Sequence, residues 1–238
     1  MNICLIVPAA GASTRYRSAG GTTDKLAALI GDRSVLGHAL ARVADGLHVS
    51  SVIVAGPHDA AERRRFLQSH AAAVQHIGAT VCPGGPRDRW QSVRHAIGCV
   101  PAEATHIAVH DGARPLPPAD MLDRLRIAAE THRAVVPAIA ASDTLRRAGP
   151  EDGSGVRIAT AELSRENVVL VQTPQLFEAN LLRRAYEQPD PVSTDDAGLV
   201  ARLGEPIAIV AGDLRNLKIT RPEDLTLAKA LAIAEPSS

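Results

Sequence analysis

The chain has 238 residues, 45% of them hydrophobic, and sets 26 basic side chains against 26 acidic ones. That length and apolar content suit one sizeable α/β domain, or one domain with a small appendage. The charge balance gives no support for a general electrostatic grip on nucleic acid or on a membrane surface, so an anionic ligand would have to be held by a local cluster.

The start, MNICLIVPAA, has no basic leader and reads as a first strand, not as a signal peptide. Further β-rich runs follow at 51–56, 106–111, 134–139 and 206–212. Helical patterns lie between them. Residues 34–44 open on Ser34, a good N-cap, and put Leu36, Leu40 and Val43 on one face. Residues 87–98 align Trp90, Val93 and Ile97, and 118–130 align Met121, Leu122, Leu125 and Ala129. A last helix starts from a capping box of Thr220, Pro222 and Glu223. Strands spaced by helices of this length predict a mostly parallel sheet with helices on both faces, an α/β fold. Residues 142–173 break the rhythm with alternating stretches around a Gly-, Pro- and Asp-rich turn, which reads as a projecting β-arm on a single domain.

No apolar stretch reaches the ~18 residues of a membrane span. Cys4, Cys82 and Cys99 show no CxxC spacing and read as buried free thiols of a cytoplasmic protein. The nine histidines, His110 among them, show no HxH or HExxH pattern, so zinc is not expected. The run Glu62-Arg63-Arg64-Arg65 reads as the solvated face of a helix. Lysine is scarce: Lys25, Lys218 and Lys229 are the only three.

Residues 7–25, VPAAGASTRYRSAGGTTDK, carry the clearest chemical signal. An apolar strand empties into small residues that leave backbone N–H groups bare, which suits phosphate oxygens beyond the carboxyl end of a strand. The spacing is neither GxxxxGK[ST] nor GxGxxG. Arg15 and Lys25 flank a flap from Ser18 to Thr23 that could close them over a polyphosphate.

AAGASTR followed by a lysine resembles the signature loop of nucleotidyltransferases that act on sugar, polyol or molybdopterin phosphates. GGPRDRWQSV (84–93), VHDGARP (109–115), SDT (142–144), QTPQLF (172–177), STDDA (193–197) and NLKITRPEDL (216–225) are similar, in order, to the motifs of the 2-C-methyl-D-erythritol 4-phosphate cytidylyltransferase family. The likeness runs along nearly the whole chain. It implies a Rossmann-like fold and a reaction in which an acceptor phosphate oxygen attacks the α-phosphorus of CTP and pyrophosphate leaves, with Mg²⁺ bridging phosphates. On this resemblance Arg15, Lys25, Lys218 and Asp111 are catalytic, and Asp111 also meets the metal that the phosphates carry. Ala9, Ala10, Gly11, Ala12, Gly84, Gly85 and Ser92 hold the nucleotide. Asp111, Arg114, Thr144, Arg165, Thr173, Thr194 and Lys218 hold the polyol phosphate. A plain helix residue remains an alternative for Ser92, as a plain N-cap does for Thr194. The arm of this family crosses to a second subunit, which implies a homodimer, with Thr144 and Arg165 serving the neighbour's site. Another polyol phosphate, such as ribitol 5-phosphate, or a degenerate nucleotide-binding protein are the competing readings. The chain departs from the family pattern at Ser13, where glycine is usual, at Asp24, where proline precedes the lysine of a shorter loop, at Gly112 and at Arg146.

Overall fold

The computed structural model describes residues 1–11, 13–21 and 24–234. Strand β1 (Ile3–Pro8) lies inside an eight-stranded sheet, with Ile3, Leu5 and Val7 in one hydrophobic cluster and Cys4 and Ile6 in the other. Both faces are covered, which explains an apolar run with no polar alternation. After β1 come the short helix α1 (Thr14–Ser18), a ribbon of two-residue strands β2 (Leu29–Ile30) and β3 (Arg33–Ser34), and helix α2 (Val35–Leu47). Ser34 caps α2 as expected, its Oγ accepting the Gly37 N–H at 3.1 Å.

Strand β4 (Ser51–Gly56) pairs parallel with β1. Helices α3 (Ala60–Ser69) and α4 (Ala71–His76) lead to β5 (Thr80–Pro83), parallel to β4 at the sheet edge. Helix α5 (Arg89–Ile97) returns the chain to β6 (His106–Val109), parallel to β1 on its other side. Helix α6 (Ala119–Ala128) precedes β7 (Ala134–Ala140). The arm is the hairpin β8 (Leu145–Glu151) with β9 (Arg157–Leu163), a two-stranded sheet of its own. Strands β10 (Val169–Val171) and β11 (Gln175–Glu178) re-enter the main sheet, followed by α7 (Ala179–Glu187), α8 (Asp196–Ala201), β12 (Ala208–Ala211) and α9 (Pro222–Ala234).

The mostly parallel α/β sheet is as expected, while the extent of the arm, two helix starts and one cysteine differ. β11 runs antiparallel between β6 and β7, so the sheet is mixed at this side, while β12 is parallel to β7 on its far edge. The arm is shorter than 142–173, because Val169–Val171 already pairs with Ala138–Ala140 in the main sheet. Helix α8 is capped by Asp195, whose Oδ1 accepts the Gly198 N–H at 3.0 Å, and exposed Thr194 precedes the cap. At the last helix Asp224, not Glu223, closes the start: its Oδ2 accepts from the Thr220 N–H and hydroxyl, each at 2.7 Å, and from the Arg221 N–H at 2.8 Å. Cys4 and Cys82 are buried, but Cys99 is exposed.

Candidate active site

β1, β4, β5 and β6 are parallel, so their carboxyl ends open on one rim of the sheet. β1 connects outward to β4 on one side while β6 sits on the other, and the loops diverge to leave a crevice, the usual ligand position in such sheets. A cavity of about 500 Å³ occupies this place. Ala9, Ala10 and Gly11 line it from β1, Pro57 and His58 from β4, Gly85 and Arg87 from β5, and Asp111 from β6. Arg15, Lys25, Ser92 and Lys218 complete its wall. Ala12 lies outside the described residues.

The Gly84-Gly85 turn is shaped by contacts that leave no room for side chains. A Cβ on Gly84 would come within 2.5 Å of the Gly56 carbonyl oxygen, and one on Gly85 within 2.1 Å of Gln91 Cβ. The Gly84 N–H donates to Gly56 O at 2.8 Å. Its carbonyl oxygen lies within hydrogen-bond distance of Nδ1 of His58 and of His95, 3.0 and 3.2 Å away. Buried Ser92 accepts the Gly85 N–H at 3.0 Å, which leaves its own hydroxyl proton to donate. Ser13, at the departure from the glycine pattern, adopts left-handed backbone angles (φ 52°, ψ 31°). That conformation costs a serine about 1–2 kcal/mol more than glycine.

Asp111 organises the opposite wall. Its Oδ1 accepts from Arg89 Nε at 2.9 Å and its Oδ2 from Lys218 Nζ at 2.8 Å. Arg114 Nε stands 3.9 Å from Oδ2, while Arg114 Nη1 donates to Asn216 O at 2.6 Å. Burial works against the Asp111 charge, but Arg89, Lys218 and Arg114 outweigh it and hold the carboxyl far below the ordinary range. The Asp111 N–H donates to Thr173 Oγ1 at 3.0 Å. The Thr173 hydroxyl then has its proton for His110 Nδ1 at 3.2 Å, and His110 Nε2 donates to Arg114 O at 2.9 Å. Burial brings the His110 pKa down to about 4, so a neutral ring fits this chain of bonds.

Lys25 and Lys218 converge here. Lys25 Nζ donates to Ile219 O at 3.2 Å, next door to Lys218. Burial, then the positive charge of Lys218, pushes the Lys25 pKa below its ordinary value. Two ammonium groups and the exposed guanidinium of Arg15 thus face one cavity, with Asp111 between Lys218 and Arg89.

The model of the family described as 2-C-methyl-D-erythritol 4-phosphate cytidylyltransferase (IspD) matches residues 3–233. The chain belongs to this family. A cytidylyltransferase of that name from Streptomyces coelicolor is 37% identical over 230 residues, 95% of this chain and 83% of its own length. A bifunctional enzyme IspD/IspF from Solidesulfovibrio magneticus is 39% identical over 99% of this chain, which spans only 59% of that longer protein. The crystal structure of the 2-C-methyl-D-erythritol 4-phosphate cytidylyltransferase of Thermus thermophilus superimposes with a TM-score of 0.76 at 32% identity, covering 98% of this chain and all of that one.

Of the residues that resemble the cytidylyltransferase motifs, Ala9, Ala10, Gly11, Arg15, Lys25, Gly85, Ser92, Asp111 and Lys218 share the cavity. Gly84 and Thr173 support it from behind, and Arg114 stands beside Asp111. Thr144, Arg165 and Thr194 are exposed and outside its lining. Arg165 Nη1 donates to Ser142 O at the root of the arm. Both Asp111 oxygens accept from cations, and no group of three or more His, Cys, Asp or Glu side chains gathers among the described residues. Sequence reasoning missed Arg89, which joins Asp111 to buried Asp196 (Nη2 to Oδ2, 2.8 Å). Its motif was legible in RDRW, but nothing in the spacing marked which arginine turns inward.

Proposed function

We propose that this chain transfers CMP from CTP to 2-C-methyl-D-erythritol 4-phosphate and releases pyrophosphate. The observation that carries the reading is the meeting of Lys25, Lys218 and Arg15 in one cavity beside bare amides and a glycine-lined turn. Both reactants are anions, so fixed cations at the meeting point supply most of what catalysis needs. The amides of residues 10 and 11, with Arg15 and Lys25, receive the triphosphate. Lys218, held by Asp111, stands where the acceptor phosphate meets the α-phosphorus, with Arg114 nearby. The spare Ser92 proton suits the acceptor edge of cytosine, whose N3 accepts where that of uracil donates. Mg²⁺ is proposed to enter on the phosphates of CTP.

Thr144 and Arg165 sit by an arm that exposes Val156, Ile158 and Leu163. We read the arm as the contact of a homodimer that delivers both residues to the neighbouring site. Two buried thiols accord with a cytoplasmic setting, and no helix among the described residues is long and apolar enough to cross a membrane.

Pyrophosphate release, measured for CTP, UTP, ATP and GTP against several polyol phosphates, tests the reaction. CTP with 2-C-methyl-D-erythritol 4-phosphate is expected to give the highest kcat/KM, and ribitol 5-phosphate a small fraction of it. No release with any acceptor in the panel would leave only a nucleotide-binding protein. Gly85→Ala forces its new Cβ against Gln91 and the backbone leading into Ser92. It is expected to raise KM for CTP about tenfold or more, since each 1.4 kcal/mol of lost binding is a factor of ten, with the KM of the acceptor unchanged. An unchanged KM for CTP would place the base elsewhere.

A further inference from the structure

We propose that His70 is a positioning residue that sets Lys25 through Asp24. His70 lies at the break between α3 and α4, its side chain fully buried, and packs on Phe66 with ring centroids 4.4 Å apart. Its Nε2 lies 3.1 Å from Asp24 Oδ2, so the proton of the bond sits on Nε2. Asp24 is the residue immediately before Lys25, and its other oxygen, Oδ1, accepts the N–H of Leu26, immediately after, at 3.1 Å. The Asp24 carbonyl accepts from the Ala27 and Ala28 N–H groups at 3.0 and 3.1 Å. Lys25 is therefore bracketed by one side chain that is anchored to α3–α4, 46 residues away in sequence.

Two further observations favour positioning over packing. His70 Nδ1 is buried without a hydrogen-bond partner among the described residues, so an apolar residue would suit the packing better. Burial opposes the Asp24 charge, yet the bonds from His70 and the Leu26 N–H hold its carboxyl below the ordinary range, so an ionised acceptor faces the ring. The restraint on the residue before Lys25 comes from this tertiary contact.

The inference rests on the role given to Lys25 above, and a double-mutant cycle separates the two. H70L, H70Q, K25A and the H70L/K25A pair are compared for kcat, for the KM of the acceptor and for Tm. Misplacing a catalytic group by about 1 Å can cost up to ~10²-fold, so H70L is expected to lower kcat about tenfold with the acceptor KM within about twofold. H70Q, which keeps a donor for Asp24, recovers most of the rate. In the K25A background H70L adds no further loss, because the group it positions is gone. K25A slow, with H70L costing the same factor on top, overturns the tether alone, as does H70L at the parent rate. K25A at the parent rate overturns the reading of the site and the tether with it. Should H70L fail to fold, D24A breaks the same link from its more exposed end and carries the same expectations.

Discussion

Lys25→Ala is expected to slow pyrophosphate release by about two orders of magnitude while leaving Tm within a degree or two. Removing one preorganised donor to developing charge typically costs about 2.7–4 kcal/mol of barrier. The stability side is small because the ammonium makes one hydrogen bond, to Ile219 O, and burial together with Lys218 already disfavours its charge. The pH profile gives a second reading. A lysine whose pKa is lowered loses its proton sooner as pH rises, so kcat/KM of the parent falls on an alkaline limb set below the ordinary 10.5. Lys25→Arg, which stays charged, removes that limb. Lys25→Ala turning over at the parent rate would take this side chain out of the reaction.

Arg89→Leu should do the reverse and strike stability first. Arg89 forks between Asp111 on the β6 side and Asp196 on α8, at 2.9 and 2.8 Å. Asp196 is wholly buried, and its other oxygen takes the Tyr186 hydroxyl at 2.5 Å. Burial and the neighbouring Asp196 drive the Tyr186 phenol well above its ordinary pKa, so the hydroxyl stays protonated and cannot replace a cation. Burial disfavours the Arg89 charge, but Asp196 and Asp111 outweigh it and raise its pKa. Removing one partner of such a pair typically costs about 3–5 kcal/mol because a buried charge is left uncompensated, which for a chain of this size lowers Tm by roughly 10 °C. Asp196→Asn in the same background is expected to return part of that loss. A Tm equal to the parent's would show that Asp196 needs no cation.

Much of this site could be read from the chain because its chemistry is concentrated in short runs. PAAGA announces bare amides, and a lysine in an arginine-rich background stands out at positions 25 and 218. The strands at 3–8 and 51–56 were legible for the same reason, since burial on both faces leaves an unbroken apolar run. β11 was not: four residues, QLFE, carry too little pattern to reveal a direction, and the antiparallel choice is made by pairing with β6 and β7. Thr194 and Asp195 are both good caps, and only the backbone decides which side chain meets the Gly198 N–H. Arg89 stayed hidden because its two partners lie 22 and 107 residues away. His70 escaped notice likewise, its tie to Asp24 being a matter of tertiary distance.

The roots of the arm face each other. Ala140 and Val169 are direct antiparallel partners, the last rung of a ladder that continues to Ala138 and Val171. Facing strand ends of this kind are what a two-residue Asn-Gly turn closes. The stretch between them is therefore an insertion whose removal would leave the threading of the sheet unchanged, and the rim that carries the cavity is built by strands on the other side of β11.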